Sequence, residues 1–418
     1  MKLTRTGIIP CAALALSLLS ACSHEQPAEA AGAPAPIARG GGVPDGGAPA
    51  QWRVVWTEEP QTRAVVAWTT AVPGESHQVL YDTESRRDGA AEYRWRVPCQ
   101  VNGEYTALGT SDLFYHHATL EGLTPSTTYY FVMKSDGQAS RELRFQTAPA
   151  DDRPFAILHG GDSRSDRDMR RRMNQRIAQL AKDDETILAM AHGGDYVYLG
   201  ILISQWSDWM TDWELTTTDD GRVLPIIPVR GNHESFGLLY DEVFGSPGGG
   251  FGRNYFATRL GAGALMITLN SEIAAGGDQT NFLAECLAEN TDVRWQVVQY
   301  HRPIWPAVKE PARSKVHWQP LFDAHGVDLS CESDGHVLKR TVPIRGDAAH
   351  PQGVVYIGEG GLGVPQRTPK DTWYLKPPGM AASVHHVWRL RFGPTALELE
   401  AISMDGEIVD RSALKPRR

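Results

Sequence analysis

Two hydrophobic patterns divide the chain. Before residue 150, short runs of β-branched and aromatic residues are separated by turn residues, whereas after Pro154 apolar runs end in glycine followed by aspartate or asparagine. The first pattern is typical of a β-sandwich, and strands that alternate with helical stretches are typical of an α/β domain. We therefore predict an all-β sandwich over residues 51–149, followed by an α/β domain over residues 153–412.

Six runs carry the β prediction in the first half of the chain. They are Arg53-Val-Val-Trp56, Ala64-Val-Val-Ala-Trp-Thr-Thr70, Gln78-Val-Leu-Tyr81, His117-Ala-Thr-Leu120, Thr128-Tyr-Tyr-Phe-Val-Met133 and Glu142-Leu-Arg-Phe145. The stretch Ala118–Tyr130 resembles the tyrosine-corner segment of fibronectin type III domains. We therefore expect a sandwich of the immunoglobulin or fibronectin type III kind.

In the second half, polar residues follow the apolar strands. Phe155-Ala-Ile-Leu158 precedes Asp162, Ile187-Leu-Ala-Met190 precedes Asp195, and Ile226-Ile-Pro-Val229 precedes Asn232. Residues 168–182 have helical spacing, and the tail from 386 to 410 indicates two more strands. Ligands of α/β sheets lie at the carboxyl ends of the strands, where these polar residues fall.

The residues at these strand ends form a candidate metal site with two ions. Carboxylate and amide oxygens, imidazoles and a phenolate suit Mn, Fe or Zn, and two ions held together suit the hydrolysis of a phosphate ester. Each residue alone would be weak support, because Gly-Asp after a strand is usually a turn. The set in chain order is Asp162, Asp195, Tyr198, Asn232, His233, His301, Asp334 and His336.

Three motifs give these residues a family likeness. Gly194-Asp-Tyr-Val-Tyr198, Gly231-Asn-His-Glu234 and Val298-Gln-Tyr-His301 resemble motifs two to four of the calcineurin-like metallophosphoesterases. The tyrosine three positions after the second aspartate is similar to the purple acid phosphatases, whose plant-type members also carry a β domain before the α/β domain. The resemblance covers about residues 50–412 and implies two sheets flanked by helices.

The resemblance also implies the role of each residue. Asp162 and Tyr198 would bind the first ion, Asp195 would bridge, and Asn232 with His301 would bind the second. His233 would lie at the substrate phosphate as proton donor or transition-state stabiliser. The implied cofactor is iron paired with Mn, Fe or Zn, and a tyrosinate–Fe(III) bond would colour the protein. The implied reaction is hydrolysis of a phosphate monoester by metal-bound water or hydroxide, with an acidic to neutral optimum.

The first motif departs from the family pattern. It reads Gly161-Asp-Ser-Arg164, where the family usually has glycine at the fourth place. Arginine suits phosphate oxygens, so Arg164 is a candidate substrate-binding residue; the alternative is a solvated loop arginine.

The last motif, Gly-His-x-His in the family, departs further. One alignment matches Gly335-His336 directly and places Leu338 where the second histidine belongs. The other runs without a gap from Val327 to Thr341 and makes Asp334 and His336 the ligand pair, with Asp334 on the second ion and His336 on the first. We prefer the second alignment because it needs no insertion or deletion. A carboxylate is a harder donor than imidazole, so we expect the second ion to be Mn, Fe or Mg rather than Zn.

Charge limits the partners. The chain has 41 Lys and Arg against 50 Asp and Glu, a net charge of -9, which argues against nucleic acid as a partner. We expect a small phosphate ester, attracted by a local positive centre rather than by the global field. The same site could serve a phosphodiesterase. The protein could instead be a lipid-anchored binding or adhesion module with a vestigial site.

The first 22 residues indicate export. Lys2 and Arg5 precede an apolar run too short to span a bilayer, and Leu19-Ser-Ala-Cys22 resembles a bacterial lipobox, so Cys22 would be lipidated. The alternative is an ordinary cleaved signal peptide. Residues 23–50, rich in Ala, Gly and Pro, indicate a flexible linker. We expect a protein anchored to the outer membrane, or one in the periplasm or on the cell surface.

Three cysteines remain after the signal and lipidation positions are set aside. They are Cys99, Cys286 and Cys331. An oxidising compartment would permit one bridge among them, and the sequence does not choose the pair.

Overall fold

The computed structural model describes residues 42–87, 92–109, 111–245 and 253–417, all of them within a unit that begins at Arg39. The predicted signal peptide, Cys22 and the linker up to residue 41 lie outside the described residues. Across the described ranges, no helix is both long enough and apolar enough to cross a membrane.

The first part of the chain is all-β, as expected. Its strands are β1 (Ala50–Val55), β2 (Ala64–Thr70), β3 (His77–Asp82), β4 (Trp95–Pro98), β5 (Val101–Glu104), β6 (Phe114–Leu120), β7 (Thr128–Ser135), β8 (Gln138–Ala139) and β9 (Leu143–Gln146). One sheet has the order β4-β3-β7-β8, with β9 also on β7, and the strands β1, β2, β6 and β5 lie side by side in another. Buried Trp68 and Phe131 pack in the core that both sheets share. The Thr124 N–H donates to Tyr129 Oη (2.8 Å), the contact that defines a tyrosine corner.

The second part alternates strands and helices. Its helices are α1 (Arg167–Asp183), α2 (Ile203–Trp213), α3 (Leu239–Phe244), α4 (Asp278–Glu289) and α5 (Lys315–His325), with 3-10 turns at Glu214–Thr216, Asn232–Glu234 and Trp373–Leu375. Its strands are β10 (Phe155–Gly160), β11 (Ile187–His192), β12 (Ile226–Pro228), β13 (Phe256–Arg259), β14 (Ala264–Thr268), β15 (Trp295–Gln299), β16 (Leu329–Cys331), β17 (Leu338–Arg340), β18 (Ile344–Arg345), β19 (Ala348–Ala349), β20 (Val355–Gly358), β21 (Met380–Ala382), β22 (His386–Phe392), β23 (Leu397–Ser403) and β24 (Ile408–Leu414).

One sheet joins the two parts of the chain. Its ten strands have the order β24-β23-β22-β10-β11-β12-β1-β2-β6-β5, and β1 pairs in parallel with β12 through Val55 and Ile226. The predicted boundary near residue 150 therefore does not separate two independent sheets. The physical reason is that a free edge of β12 would expose unpaired backbone groups, and β1 covers it.

A second sheet packs face to face on the first. Its order is β13-β14-β15-β16-β20-β17-β21, with β14, β15, β16 and β20 parallel. Alternate residues of β10 serve the two faces: Phe155 and Ile157 lie in the core between the sheets, whereas Ala156 and Leu158 pack under helices α1 and α2. Helices α4 and α5 cover the outer face of the second sheet. This is the expected pair of sheets flanked by helices.

The tail differs from the expectation of two strands, because β22, β23 and β24 form two consecutive hairpins. The second hairpin turns at Asp405-Gly406, where Gly406 has φ +92°, a conformation that favours glycine. Strand β24 is largely exposed, so it lacks the apolar alternation by which a strand is recognised. The structure leaves Cys99, Cys286 and Cys331 as free thiols.

Two buried histidines on β6 make the stability of the folded protein depend on pH. His116 contacts Thr70 Oγ1 through Nε2 (2.8 Å), and His117 Nε2 lies 2.8 Å from the Glu242 carbonyl oxygen. Burial, reinforced for His116 by the neighbouring His77, lowers the pKa of each imidazole to about 3. Both rings are therefore neutral in the folded protein, whereas an unfolded histidine binds a proton below about pH 6.5.

We predict that the free energy of unfolding falls as the pH drops below 6.5 toward 3, because protons then bind only the unfolded chain at these positions. The two histidines together contribute a loss of about 2.5 kcal/mol between pH 7.5 and 5.5. Urea titrations at several pH values measure it. His116→Gln/His117→Gln should flatten the dependence, while His350→Gln, at an exposed position, should not. Equal slopes for the double variant and the wild type would contradict the prediction.

Candidate metal centre

The carboxyl ends of the two sheets bring the predicted ligands together. Asp162, Asp195 and Asn232 follow β10, β11 and β12 in the first sheet, and His301 and Asp334 follow β15 and β16 in the second. All of these strands are parallel to their neighbours within the group. Parallel strands end at one edge of a sheet, so the side chains that follow them meet there.

Four of the predicted ligands have a left-handed backbone. The φ angles are +57° at Asp162, +58° at Asp195, +68° at Asp334 and +61° at His336. This region is sparsely populated by residues other than glycine, and such strain clusters at functional sites. The strained backbone positions therefore coincide with the candidate ligands.

Two glycines give the ligands room. A Cβ on Gly231 would lie 2.4 Å from Asp195 Oδ1, and a Cβ on Gly360 would lie 1.9 Å from Asp162 Oδ2. Both distances are far below van der Waals contact. Any larger residue would therefore displace a carboxylate, which explains why glycine precedes Asn232 and follows Glu359.

A compact group of donors lies at the centre. One donor atom from each of Asp162, Asp195, His301 and Asp334 lies within 4.8 Å of the others, and all four residues are buried. Ligands on opposite sides of one cation are about 4–5 Å apart. Asp162 Oδ1 is buried and has no hydrogen-bond partner. Carboxylate oxygens with an imidazole, one of them unsatisfied, fit a hard or borderline metal ion.

His301 is oriented as a metal ligand. Its Nδ1 lies 2.8 Å from the Gly193 carbonyl oxygen, which can only accept, so Nδ1 carries the proton and Nε2 presents a lone pair. That Nε2 lies 3.1 Å from Asn232 Oδ1, 3.2 Å from Asp195 Oδ1 and 3.6 Å from Asp334 Oδ1. A ring fixed by a carbonyl, with its other nitrogen among oxygens, is the usual arrangement around a bound metal.

The electrostatics of the group agree with a cation. Burial opposes the charge of Asp195 and Asp334, but His301 outweighs it and holds the pKa of both carboxyls well below the ordinary range. Burial likewise opposes a charge on His301, yet Asp195 and then Asp334 raise its pKa well above the ordinary value. Without an ion, His301 would therefore carry a second proton at Nε2, and a bound cation would take the place of that proton among the carboxylates.

The altered last motif takes part in the site. Asp334 faces His301, its backbone N–H donates to Asp162 Oδ2 (2.9 Å), and His336 Nε2 lies 3.3 Å from Asp162 Oδ1. Leu338 lies on β17 and packs in the hydrophobic core between the sheets. Asp334 and His336 therefore lie beside the donor group, whereas Leu338 does not.

A buried charge network supports this loop. Lys339 contacts Glu332 and Glu359, and all three side chains are fully buried. Glu359 lies beneath the loop, where its backbone carbonyl accepts from the His336 N–H (2.7 Å). Burial raises the pKa of Glu359 to about 7, although Lys339 opposes the rise. The network holds the backbone between Asp334 and His336 in place.

Glu234 supports the two loops that carry Asp195 and Asn232. Its carboxylate accepts from the backbone N–H groups of Gly231, Asp195, Tyr196 and Val197, at 3.0–3.2 Å. Burial and then Asp195 raise its pKa to about 8. The side chain therefore ties the loop after β12 to the loop after β11, which aligns Asn232 with Asp195. The Gly231-Asn-His-Glu234 motif contains this residue, although its spacing does not reveal the role.

Tyr198 and His233 lie at the open side of the centre. Tyr198 is 41% exposed, and its ring centroid lies 5.2 Å from that of His233. His233 Nδ1 lies 2.6 Å from the Tyr198 carbonyl oxygen, so Nδ1 carries a proton, and Nε2 is 3.8 Å from Asp195 Oδ2. His233 thus points its second nitrogen at the centre from the solvent side.

Two basic side chains contact the ligands. Arg164 Nε donates to Asp195 Oδ2 (3.0 Å), and its terminal nitrogen lies 3.2 Å from His336 Nε2. Lys309 donates to Asp334 Oδ1. The first motif predicts Arg164 as a phosphate-binding residue, whereas Lys309 lies in a loop without a motif. No sequence signal marks that lysine, because its position depends on the path of the chain after His301.

A cleft opens beside Asp334. It has a volume of about 610 Å³ and both signs of charge on its walls, including Arg302, Lys309, Glu272 and Glu310. Arg302 is paired with Glu272 at 2.9 Å. The cleft borders the donor group at Asp334, so a molecule bound at the donors has space beside it.

Both parts of the chain are similar to known protein families. The purple acid phosphatase N-terminal domain family matches residues 49–147, and the calcineurin-like phosphoesterase family matches residues 138–338. Uncharacterised proteins from two strains of Mycobacterium tuberculosis are 24% identical over 329 residues, 68% of this chain and 60% of theirs. Probable inactive purple acid phosphatase 27 of Arabidopsis thaliana is 23% identical over 308 residues, 63% of this chain and 50% of its own. The chain thus spans only 50–60% of the length of these relatives.

Solved structures show the same fold. Purple acid phosphatase PPD1 from yellow lupin seeds is 17% identical and superimposes with a TM-score of 0.75, over 88% of this chain and 74% of its own. PhoD is 11% identical with a TM-score of 0.64, over 87% and 88% of the two chains. At these identities the likeness concerns the fold alone.

The carboxylate of Asp334 should set metal preference. We predict that Asp334→His shifts the ratio of Zn²⁺ to Mn²⁺ affinity toward Zn²⁺ by about tenfold, because imidazole is the softer donor. Isothermal titration calorimetry of the metal-free protein with each ion measures the ratio. Asp347→His, at an exposed position, is the matched control. An unchanged ratio would show that Asp334 does not contact the ion.

Proposed function

We propose that this chain hydrolyses phosphate monoesters with a bound metal ion, in keeping with its matches to the purple acid phosphatase N-terminal domain and the calcineurin-like phosphoesterase families. The supporting observation is the buried convergence of Asp162, Asp195, His301 and Asp334 at the ends of two sheets. When bound there, an ion supplies Lewis-acid polarisation of phosphoryl oxygens and lowers the pKa of water.

The residues around the donor group fit the needs of phosphoryl transfer. Such reactions are catalysed mainly by positioning and by stabilisation of charge on the phosphoryl oxygens. Arg164 offers guanidinium N–H groups beside Asp195, and His233 presents Nε2 from the solvent side. We assign phosphate binding to Arg164 and His233, and proton donation to the leaving oxygen to His233.

A phosphodiester is the second candidate, and the cleft beside Asp334 is the observation in its favour. A monoester places one organic group at the centre and a diester places two. A cleft of about 610 Å³ next to the donor group has space for a second group. The donor group itself serves both substrates, so the walls of the cleft decide between them.

A binding module with a vestigial site is a third reading, since one relative is named probable inactive. The buried donors count against it in this chain. Three carboxylates in one place destabilise the fold unless a charge compensates them. Four strained backbone positions add to that cost, so a site without function would gain from losing them.

We predict that Asp195→Asn lowers the rate of hydrolysis of p-nitrophenyl phosphate about 1,000-fold or more, because several kcal/mol of charge stabilisation depends on this carboxylate. Steady-state rates with Mn²⁺ measure the effect, and circular dichroism checks the fold. Asp371→Asn, a largely exposed carboxylate, should retain full activity.

Bis(p-nitrophenyl) phosphate, assayed in parallel, distinguishes the two ester classes. A preference for this diester would replace the monoester proposal by the phosphodiesterase. Equal activity of Asp195→Asn and the wild type on both esters would contradict the catalytic assignment altogether.

A further inference from the structure

We propose that Arg164 occupies the position of the first metal ion, so that the centre holds one ion and a guanidinium instead of two ions. The four residues that the family likeness assigns to the first ion are Asp162, Tyr198, Asp195 and His336. The Arg164 guanidinium is hydrogen-bonded to two of them, at 3.0 Å from Asp195 Oδ2 and 3.2 Å from His336 Nε2, and its carbon lies 5.9 Å from the centroid of the Tyr198 ring. The cation of the side chain is thus inside the ligand set.

The hydrogen bond to His336 uses the lone pair that an ion would need. Arginine has only donors, so His336 Nε2 must accept from Arg164. The other ring nitrogen, Nδ1, lies 3.3 Å from the Pro365 carbonyl oxygen and carries the proton. An ion on His336 would require Arg164 to withdraw.

Asp195 is shared between the guanidinium and the remaining donor group. Its Oδ2 accepts from Arg164, while its Oδ1 lies 3.2 Å from His301 Nε2. In the two-ion arrangement this carboxylate would bridge two metals. Here one oxygen of Asp195 faces the arginine and the other faces the candidate ion position.

The position is closed rather than open to exchange. The Arg164 side chain is only 9% exposed, and Asp195 and His336 are buried on either side of it. Its third nitrogen lies 2.5 Å from Ser165 Oγ, so the guanidinium is held from three directions. A divalent ion brought into the same buried space would meet a like charge at short range, which the low local dielectric makes unfavourable.

The rest of the donors still fit one ion. Donor atoms of Asp162, Asp195, His301 and Asp334 lie together in the group described above, and Asn232 Oδ1 lies 3.1 Å from His301 Nε2. These five residues supply enough donors for one ion beside His301. Arg164, which stands where the family has glycine in the first motif, therefore lies beside a set of donors for a single ion.

The consequence for chemistry rests on the proposed function. Arg164 would supply, through fixed N–H donors, the positive charge toward the phosphate that the first ion supplies in the family. The metal count itself is independent of any activity, so the two proposals can fail separately.

The experiment counts metal ions on the whole protein. Chains loaded with Mn²⁺ and desalted are analysed by inductively coupled plasma mass spectrometry; we expect one ion per wild-type chain and two per Arg164→Gly chain, since glycine is the family residue. Arg313→Gly, an exposed arginine on the cleft, should stay at one. Two ions on the wild type, or one on Arg164→Gly with its fold intact, would overturn the proposal.

Fe(III) loading gives a second readout. Wild type should lack the visible absorption of a tyrosinate–iron bond, Arg164→Gly should gain it, and Arg164→Gly/Tyr198→Phe should lose it again. If Arg164→Gly fails to fold, the wild type alone decides, because a coloured wild-type protein with two ions contradicts the proposal. Loss of esterase activity with the expected metal counts would refute the function but leave the count standing.

Discussion

Repulsion among buried carboxylates is the constraint on which this structure depends. Two sheets end at the same place, and Asp162, Asp195 and Asp334 meet there out of contact with solvent. Three negative charges in a region of low dielectric are stable only with positive charge among them. The two sheets can therefore pack together only if positive charge compensates these carboxylates, so the stability of the fold depends on the charges of the site.

The N-terminal strands contribute to that packing although they supply no ligand. Strand β1 completes the edge of β12, so the loop that carries Asn232 follows a strand paired on both sides. The core between the sheets is continuous from Trp52 through Ile157 to Val297. A rigid support on both sides of β12 restricts the motion of the loop, and ligand geometry depends on such restriction. We therefore interpret the β-rich part as structural support for the centre.

Much of this arrangement could be predicted from the sequence, because its signals are local. Apolar runs that end in Gly-Asp or Gly-Asn indicate the strand ends and therefore the candidate ligands. Six of the N-terminal strands are indicated by their β-branched and aromatic residues. Strands β4, β5 and β8 escaped prediction since they are short and mostly exposed, and exposed strands need no apolar alternation. The pairing of β1 with β12 joins residues about 170 positions apart, and no local pattern reports such a contact.

The charges of the centre show why the substitutions in its motifs belong together. The family pattern has glycine at the place of Arg164 and histidine at the place of Asp334. Replacing the histidine adds a negative charge, and Arg164 and Lys309 add two positive charges in contact with Asp195 and Asp334. Three carboxylates against these two cations leave one negative charge when His301 is a neutral metal ligand whose Nδ1–H donates to the Gly193 carbonyl. A single divalent ion more than compensates that remainder, whereas a second would add excess positive charge beside Arg164. The positive charge added in the altered first motif therefore balances the negative charge added in the altered last motif.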